Sequence, residues 1–249
     1  MLLEIQSALR KSILNGAQRV GPFLVHFDEH SESPFRNYAI PDDEAQPSRQ
    51  DVAELVEAFA QRDRRPRLEY VGPAPAVGDA LAGAGFTVDL RLPLMTMVGD
   101  ELRDLAAPAG VALALVTADD DLLAAARVQN IAYQEPAEAG EHDVARLRAT
   151  VRAAGAVVLA SVDGVPAGAG LFTPARDGLC EIAAVGVLPE FRRRGIASAM
   201  VAQLSRSVFA IGATPYLQTE SENEQRLYAR LGYRTVGELI AIGLATTLR

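Results

Sequence analysis

Three arginines in a row, Arg192-Arg193-Arg194, run into Gly195-Ile196-Ala197-Ser198 where an apolar strand gives way to a helix. The strand, Ile182-Ala183-Ala184-Val185-Gly186-Val187, is closed by Leu188-Pro189, because proline cannot continue a ladder. The helix starts near Gly195 and shows an apolar stripe at Ile196, Met200, Val201, Leu204 and Val208. Unpaired N–H groups in the first turn of a helix attract anions, and the helix dipole adds to the pull. Gly195 and Ala197 keep side chains short where a ligand must reach the backbone. Guanidinium forks match phosphate oxygens. The stretch predicts a phosphorylated cofactor, although an arginine run alone also describes a solvated loop. A P-loop finds no support, since no Gly-x-x-x-x-Gly-Lys-Ser/Thr run occurs, and the turn lacks the Gly-x-Gly-x-x-Gly of a dinucleotide site.

Further along, Pro215-Tyr216-Leu217-Gln218-Thr219 reads as a short strand. Ser221 with Glu224 three residues on is a capping-box pattern, opening a helix over Glu222–Leu231 that stops at Gly232. This helix carries Asn223 and Tyr228. Tyr233 to Leu248 then holds one or two apolar strands, broken near Gly237 and Gly243.

Taken in order, residues from about Gly110 to Arg249 resemble the GCN5-related N-acetyltransferase (GNAT) family, whose members move an acetyl group from acetyl-CoA to an amine. The run Val185-Gly186-Val187-Leu188-Pro189-Glu190-Phe191-Arg192-Arg193-Arg194-Gly195-Ile196-Ala197 stands in place of the family's V-x-P-x-x-R/Q-x-x-G-x-G/A signature. Asn223-Glu224-Gln225-Arg226-Leu227-Tyr228-Ala229-Arg230-Leu231-Gly232-Tyr233 matches N-x-x-A-x-x-L-Y-x-x-x-G-F. Ala197 replaces the second glycine, Tyr233 the usual Phe and Arg226 the usual Ala. The resemblance implies an α/β (α+β) fold of the GNAT acyl-CoA N-acyltransferase type, a mixed central sheet flanked by helices. It also implies acetyl-CoA as cosubstrate, no metal, and direct transfer to an amine in a ternary complex. A non-catalytic acyl-CoA-binding regulator is the alternative, because the cradle would survive the loss of chemistry.

The resemblance assigns roles residue by residue. Backbone N–H groups of Val185, Gly186 and Val187, freed by a bulge or splay, would bind pantetheine amides and polarise the thioester carbonyl. Gly186 fits a bulge or a close ligand, and equally the relief of packing. Arg192, Arg193, Arg194, Gly195, Ile196, Ala197 and Ser198 would hold the phosphates. Asn223 would bond the pantetheine or phosphate chain, or else cap its helix. Tyr228 is the candidate general acid for the leaving thiolate, since a phenol with a pKa of about 10 is protonated at neutral pH; a structural tyrosine is the other reading. Glu181, 11 residues before Arg192, matches the placement of a glutamate base in the histone-acetyltransferase branch. A carboxylate beside an apolar strand should have a raised pKa, but Glu181 also reads as an ordinary strand end. Glu220, or water alone, could serve instead. Cys180 has no histidine in the motif region and reads as a core thiol. His26, His30 and His142 show no metal-ligand spacing.

The elements that position these groups fall into two units, expected at residues 1–104 and 105–249. In the first, Met1 to Leu14 reads as an amphipathic helix, Asp51 to Arg62 and Ala76 to Ala84 as helices, Leu68 to Val71 and Phe86 to Val98 as strands, and the region of His26 and His30 as irregular. In the second, Val111 to Val116 is a strand, and Asp119 to Tyr133 and His142 to Ala153 are helices. Ala156 to Val162 and Val165 to Leu171 form a hairpin turning at Asp163-Gly164. Ala80-Leu81-Ala82-Gly83-Ala84-Gly85-Phe86 mirrors Leu227 to Tyr233, with the helix Asp51 to Arg62 corresponding to the one after Gly195. The first unit thus reads as a smaller, degenerate GNAT-like half. It lacks the arginine turn, and Leu81 stands where Tyr228 stands, so it should not catalyse.

Composition supports a globular protein: 249 residues, 49% hydrophobic and 22% charged. A net charge of −8 disfavours nucleic acid and anionic membranes as partners and tolerates a small-molecule or peptide amine as acceptor. One cysteine and no secretory signal point to the cytoplasm. No apolar run reaches membrane-spanning length. Sheet edges exposed in such folds make a homodimer an open expectation.

Overall fold

The computed structural model describes residues 1–14, 16–98, 101–103, 107–135 and 138–244. Two compact units form: Met1–Leu94 together with Thr235–Arg249, and Met95–Arg234. Residues 104 and 105, where the sequence reading divides the chain, lie outside the described residues, as do 245–248 of the expected last strand.

The first unit opens with α1 (Leu2–Ile13), which buries Ile5, Gln6, Leu9 and Ile13 at helical spacing, as its amphipathic pattern requires. In the region read as irregular, His26 ends a strand while residues 27–37, with His30, are irregular; around it lie three short strands, β1 (Gln18–Val20), β2 (Phe23–His26) and β3 (Tyr38–Pro41), paired antiparallel in sequence. Each is too short for its alternation to stand out from the loops around it. Helix α2 (Arg49–Ala60) starts at a capping box between Ser48 and Asp51 and buries Val52, Leu55 and Phe59. It crosses to β4 (Arg67–Val71), which runs parallel to β3. Then follow α3 (Pro75–Ala82) and β5 (Phe86–Thr96), which passes into the second unit at Met95.

The second unit continues with β6 (Val111–Val116), α4 (Asp119–Ala132) and α5 (Glu141–Arg152). The hairpin β7 (Ala156–Val162) and β8 (Val165–Phe172) turns at Asp163 and Gly164, both at positive φ, as a two-residue primed turn demands. Strand β9 (Leu179–Val187), α6 (Ile196–Ala210), β10 (Thr214–Gln218) and α7 (Glu222–Leu231) complete it. The strands lie in the order β10-β9-β8-β7-β6, with β9 and β10 parallel and the other pairs antiparallel. Alternation along β7 sends Val157 to α4 and α5 on one face, with Leu122 and Leu147, and Val158 to α6 on the other, with Met200 and Leu204.

The final strand, β11 (Arg234–Leu244), is one continuous strand despite Gly237 and Gly243. From Thr235 it belongs to the first unit, whose sheet order is β1-β2-β3-β4-β11-β5. The succession α1-β1-β2-β3-α2-β4-α3-β5 repeats as α5-β7-β8-β9-α6-β10-α7-β11, with the same antiparallel, antiparallel, parallel pairing of the first four strands of each series. Gly85 and Gly232 both sit at positive φ before the aromatic residue that leads into the last strand. Among the described residues the first series has no counterpart to β6 and α4. No helix among them is long and apolar enough to cross a membrane.

Candidate functional site

Two breaks in regular pairing define a cleft in the second unit. The parallel register of β9 and β10 runs through Leu179↔Thr214, Cys180↔Pro215 and Glu181↔Tyr216, then ends, although β9 continues to Val187. On its other side β9 pairs Ala183 with Leu171 and Gly186 with Ala169, so Gly170 alone faces Ala184 and Val185. That extra residue is a β-bulge, and Ala184 carries it at φ 52. Leu188 N–H bonds Ala167 O of β8, so by the antiparallel alternation the N–H groups of Val185 and Val187 point away from β8, into the gap. Gly186 N–H faces β8. Of the three amides singled out from the sequence, the geometry leaves two for a ligand.

Helix α4 holds the bulge from one sheet face. Gln129 Nε2 donates to Ala184 O at 3.1 Å, and the Tyr133 hydroxyl to Val185 O at 3.4 Å. A Cβ on Gly186 would lie 2.6 Å from Ala132 Cβ. Of the two readings of Gly186, close packing therefore accounts for the glycine. Neither Gln129 nor Tyr133 was found from sequence; their one signal is the i, i+3, i+4 spacing of 129, 132 and 133 on a helix face.

Beyond Val187, a 3-10 turn at Pro189–Phe191 leads to the arginines. Arg192 Nε donates to Val187 O at 3.0 Å, Arg193 lies at φ 62, and Gly195 at φ 82 brings the chain into α6 without a side-chain cap. Ala199 N–H to Gly195 O begins the helical ladder, so the N–H groups of Ile196, Ala197 and Ser198 lie ahead of it. A cavity of about 940 Å³ opens over this turn. It is lined by Arg192, Arg193 and Gly195 to Ser198 and, from α7, by Asn223, Arg226 and Arg230. Arg194 instead stacks on the Phe191 ring at 5.3 Å. Asn223 does not cap α7, since Ser221 does so with Glu224. Arg226 and Arg230 are cavity residues that the sequence reading noted at most as a departure; Arg226 also pairs with Glu222 at 2.8 Å.

At the other end lie acids and phenols. Glu181 occupies the last paired position before the strands part, and its Oε1 accepts from Gln218 Nε2 at 3.3 Å. Tyr228 is buried on α7, its ring 6.1 Å from that of Tyr233. Burial first, then the nearby Glu224, Tyr133 and Tyr233, push its hydroxyl well above the ordinary phenol range. Tyr133 shifts the same way through burial, Glu220 and Glu224, an effect weakened because about half of the residue (48%) is exposed to water. Burial likewise raises Tyr233, opposed by its bond to Ser205 Oγ at 2.8 Å. Ser205 gives its proton to Val201 O, so Tyr233 is the donor in that bond. Cys180 is fully buried and its thiol is pushed up to about 11 by burial, which suits a core thiol.

Three buried polar atoms around the gap lack partners: Gln129 Oε1, Gln218 Oε1 and Thr219 Oγ1. Buried groups of this kind are satisfied by a ligand or water. Among the described residues no three His, Cys, Asp or Glu side chains gather to hold a metal ion. His26 ends β2 beside Tyr38, and burial lowers its pKa.

The model of the acetyltransferase (GNAT) family matches residues 121–233. A GCN5-related N-acetyltransferase from Kribbella flavida is 25% identical, superposes with a TM-score of 0.80, and the match covers 98% of this chain and 95% of that one. One from Sphaerobacter thermophilus, at 16% identity and a TM-score of 0.66, covers 83% and 71%. A tandem GNAT protein from the clavulanic acid biosynthesis pathway, at 14% identity and a TM-score of 0.58, covers 99% and 95%. No curated protein matches the sequence.

Proposed function

From a chain whose residues 121–233 carry a domain of the acetyltransferase (GNAT) family, we propose that the protein transfers an acetyl group from acetyl-CoA directly to an amine, within a ternary complex. The gap between β9 and β10 carries this reading, because it joins an anion-binding end to an acid-bearing end through the outward amides of Val185 and Val187. Acetyl-CoA would supply the acyl group as a thioester. The residues present fit it: unpaired first-turn amides and the guanidinium groups of Arg192 and Arg193 for the diphosphate, free amides for a chain laid along β9, and unpartnered Thr219 Oγ1 for a donor.

Each residue then has a task. The N–H groups of Val185 and Val187 stabilise negative charge on the carbonyl oxygen. Tyr228, held protonated by burial and by Glu224, gives its proton to the departing sulfur. Glu181, at the base of the gap, takes the proton of the attacking amine, with Gln218 fixing its carboxylate. The carboxylates of Glu181, Glu220 and Glu224 at this end favour a cationic acceptor. The first unit repeats the fold without the arginine turn and with Leu81 where Tyr228 stands, and serves here as a non-catalytic half.

Thiol release from acetyl-CoA with a panel of amines tests the proposal. Turnover with at least one amine is the expected result. Saturable acetyl-CoA binding with no thiol release from any amine would identify a binding protein instead.

A further inference from the structure

We propose that Gln129 is a positioning residue for the acyl-transfer step, its buried carboxamide locking the left-handed bulge at Ala184 and so aiming the Val185 amide. The inference rests on the acetyl-transfer reading above.

Ala184 adopts φ 52, a conformation that a residue with a Cβ avoids unless its surroundings impose it. Strand β8 does not impose it. Gly170 alone faces Ala184 and Val185, so β8 has one residue to serve two. The constraint comes from α4. Gln129 Nε2 donates to Ala184 O, Tyr133 reaches Val185 O, and the missing side chain of Gly186 lets Ala132 settle against the strand just after the bulge. The peptide that carries Ala184 O also carries Val185 N–H. Fixing the carbonyl therefore fixes the direction of the amide.

Gln129 is also a costly choice for a purely structural place. It is 4% exposed and its Oε1 has no partner, so a leucine would suit packing better. Its Nε2 faces Ala184 O because the reverse orientation would set two acceptors against each other. None of the atoms that line the arginine cavity belongs to α4, so holding the bulge and holding the phosphates are separable.

Two variants test this. Gln129→Met keeps the size of the side chain and removes the donor. Its kcat should fall by on the order of tenfold or more, as misaimed catalytic groups do, while acetyl-CoA affinity measured by calorimetry stays within about twofold. Gln129→Glu cannot donate when ionised but can when protonated, so its kcat relative to that of the unaltered protein should rise as pH falls. The inference is overturned by an unchanged kcat in Gln129→Met, by parallel loss of kcat and affinity, or, should that variant not fold, by a flat pH ratio for Gln129→Glu. An unaltered protein that acetylates no amine would refute the acetyl-transfer reading. An active protein with an equally active Gln129→Met refutes the positioning role alone.

Discussion

In the first unit the Val71 N–H donates to Oε1 of Gln6 at 2.8 Å, and the same carboxamide donates from Nε2 to Pro41 O at 3.0 Å. Gln6 thereby ties the end of β3 to the end of β4, the two parallel strands that correspond to β9 and β10. A single carboxamide thus satisfies one carbonyl at the end of β3 and one amide at the end of β4. The matching helix N-terminus of the first unit, at α2, is filled by Ser48 and by Asp51, whose carboxyl the Ser48 hydrogen bonds hold below the usual range. A diphosphate would meet a negative charge there.

Replacing Gln6 with leucine should leave both backbone groups buried and unpaired, at a cost of about 1–3 kcal/mol. Urea denaturation measures the loss. Calorimetry should still find one acetyl-CoA per chain, and a second bound molecule would show a site in the first unit as well.

The arginines should separate by role. Arg192→Ala or Arg193→Ala is expected to weaken CoA by about tenfold or more, the loss of one charge-assisted bond. Arg194→Ala, whose guanidinium lies on Phe191, should change affinity by less than about twofold. Because Arg192 and Arg193 flank the α6 amides, CoA and dephospho-CoA should weaken alike. A loss confined to CoA would move these side chains to the 3′-phosphate.

Tyr228→Phe should lower kcat by on the order of a hundredfold and spare acetyl-CoA affinity. The pH dependence has a definite sign. The hydroxyls of Tyr133, Tyr228 and Tyr233 are all shifted upward in the folded chain. Above a pH of about 10 the unfolded chain loses these protons while the folded chain keeps them, so stability is full below that pH and falls as pH rises past it. Denaturation midpoints across that range should fall less steeply for Tyr228→Phe. An identical slope would show that its hydroxyl titrates normally.

Gly186→Ala should destabilise the second unit by about 1–3 kcal/mol, because two Cβ atoms cannot share the space beside Ala132. Ala132→Gly in the same chain should restore most of the loss. Without that rescue, the glycine answers to the bulge or to a ligand rather than to α4.

What was legible in the sequence was what depends on local chemistry. Asp163-Gly164 announced its hairpin, Ser221 with Glu224 its helix start, and Gly232 a helix end, because each is a backbone requirement met by neighbouring residues. Strands β1 to β3 were missed, since three or four residues do not show a period. At the site, Arg192, Arg193 and Gly195 were found through their order, whereas Gln129 and Tyr133 act on a strand some fifty residues away. Nothing local marks such a pairing. The bulge itself was expected around Gly186 but sits at Ala184, where a side chain is held in a glycine's conformation by another element.

Strand β11 pairs antiparallel with β4, from Leu239↔Val71 to Gly243↔Arg67, and so returns the chain from the second unit to the sheet of the first. Dividing the chain at residues 104 and 105 therefore separates β11 from both of its neighbours, β4 and β5. Residues 105–249 made alone would carry a long apolar ribbon with both edges bare, and should aggregate or stay unfolded. Residues 1–104 supplied on a separate chain should recover soluble, acetyl-CoA-binding material, the freed strand having found its two neighbours again.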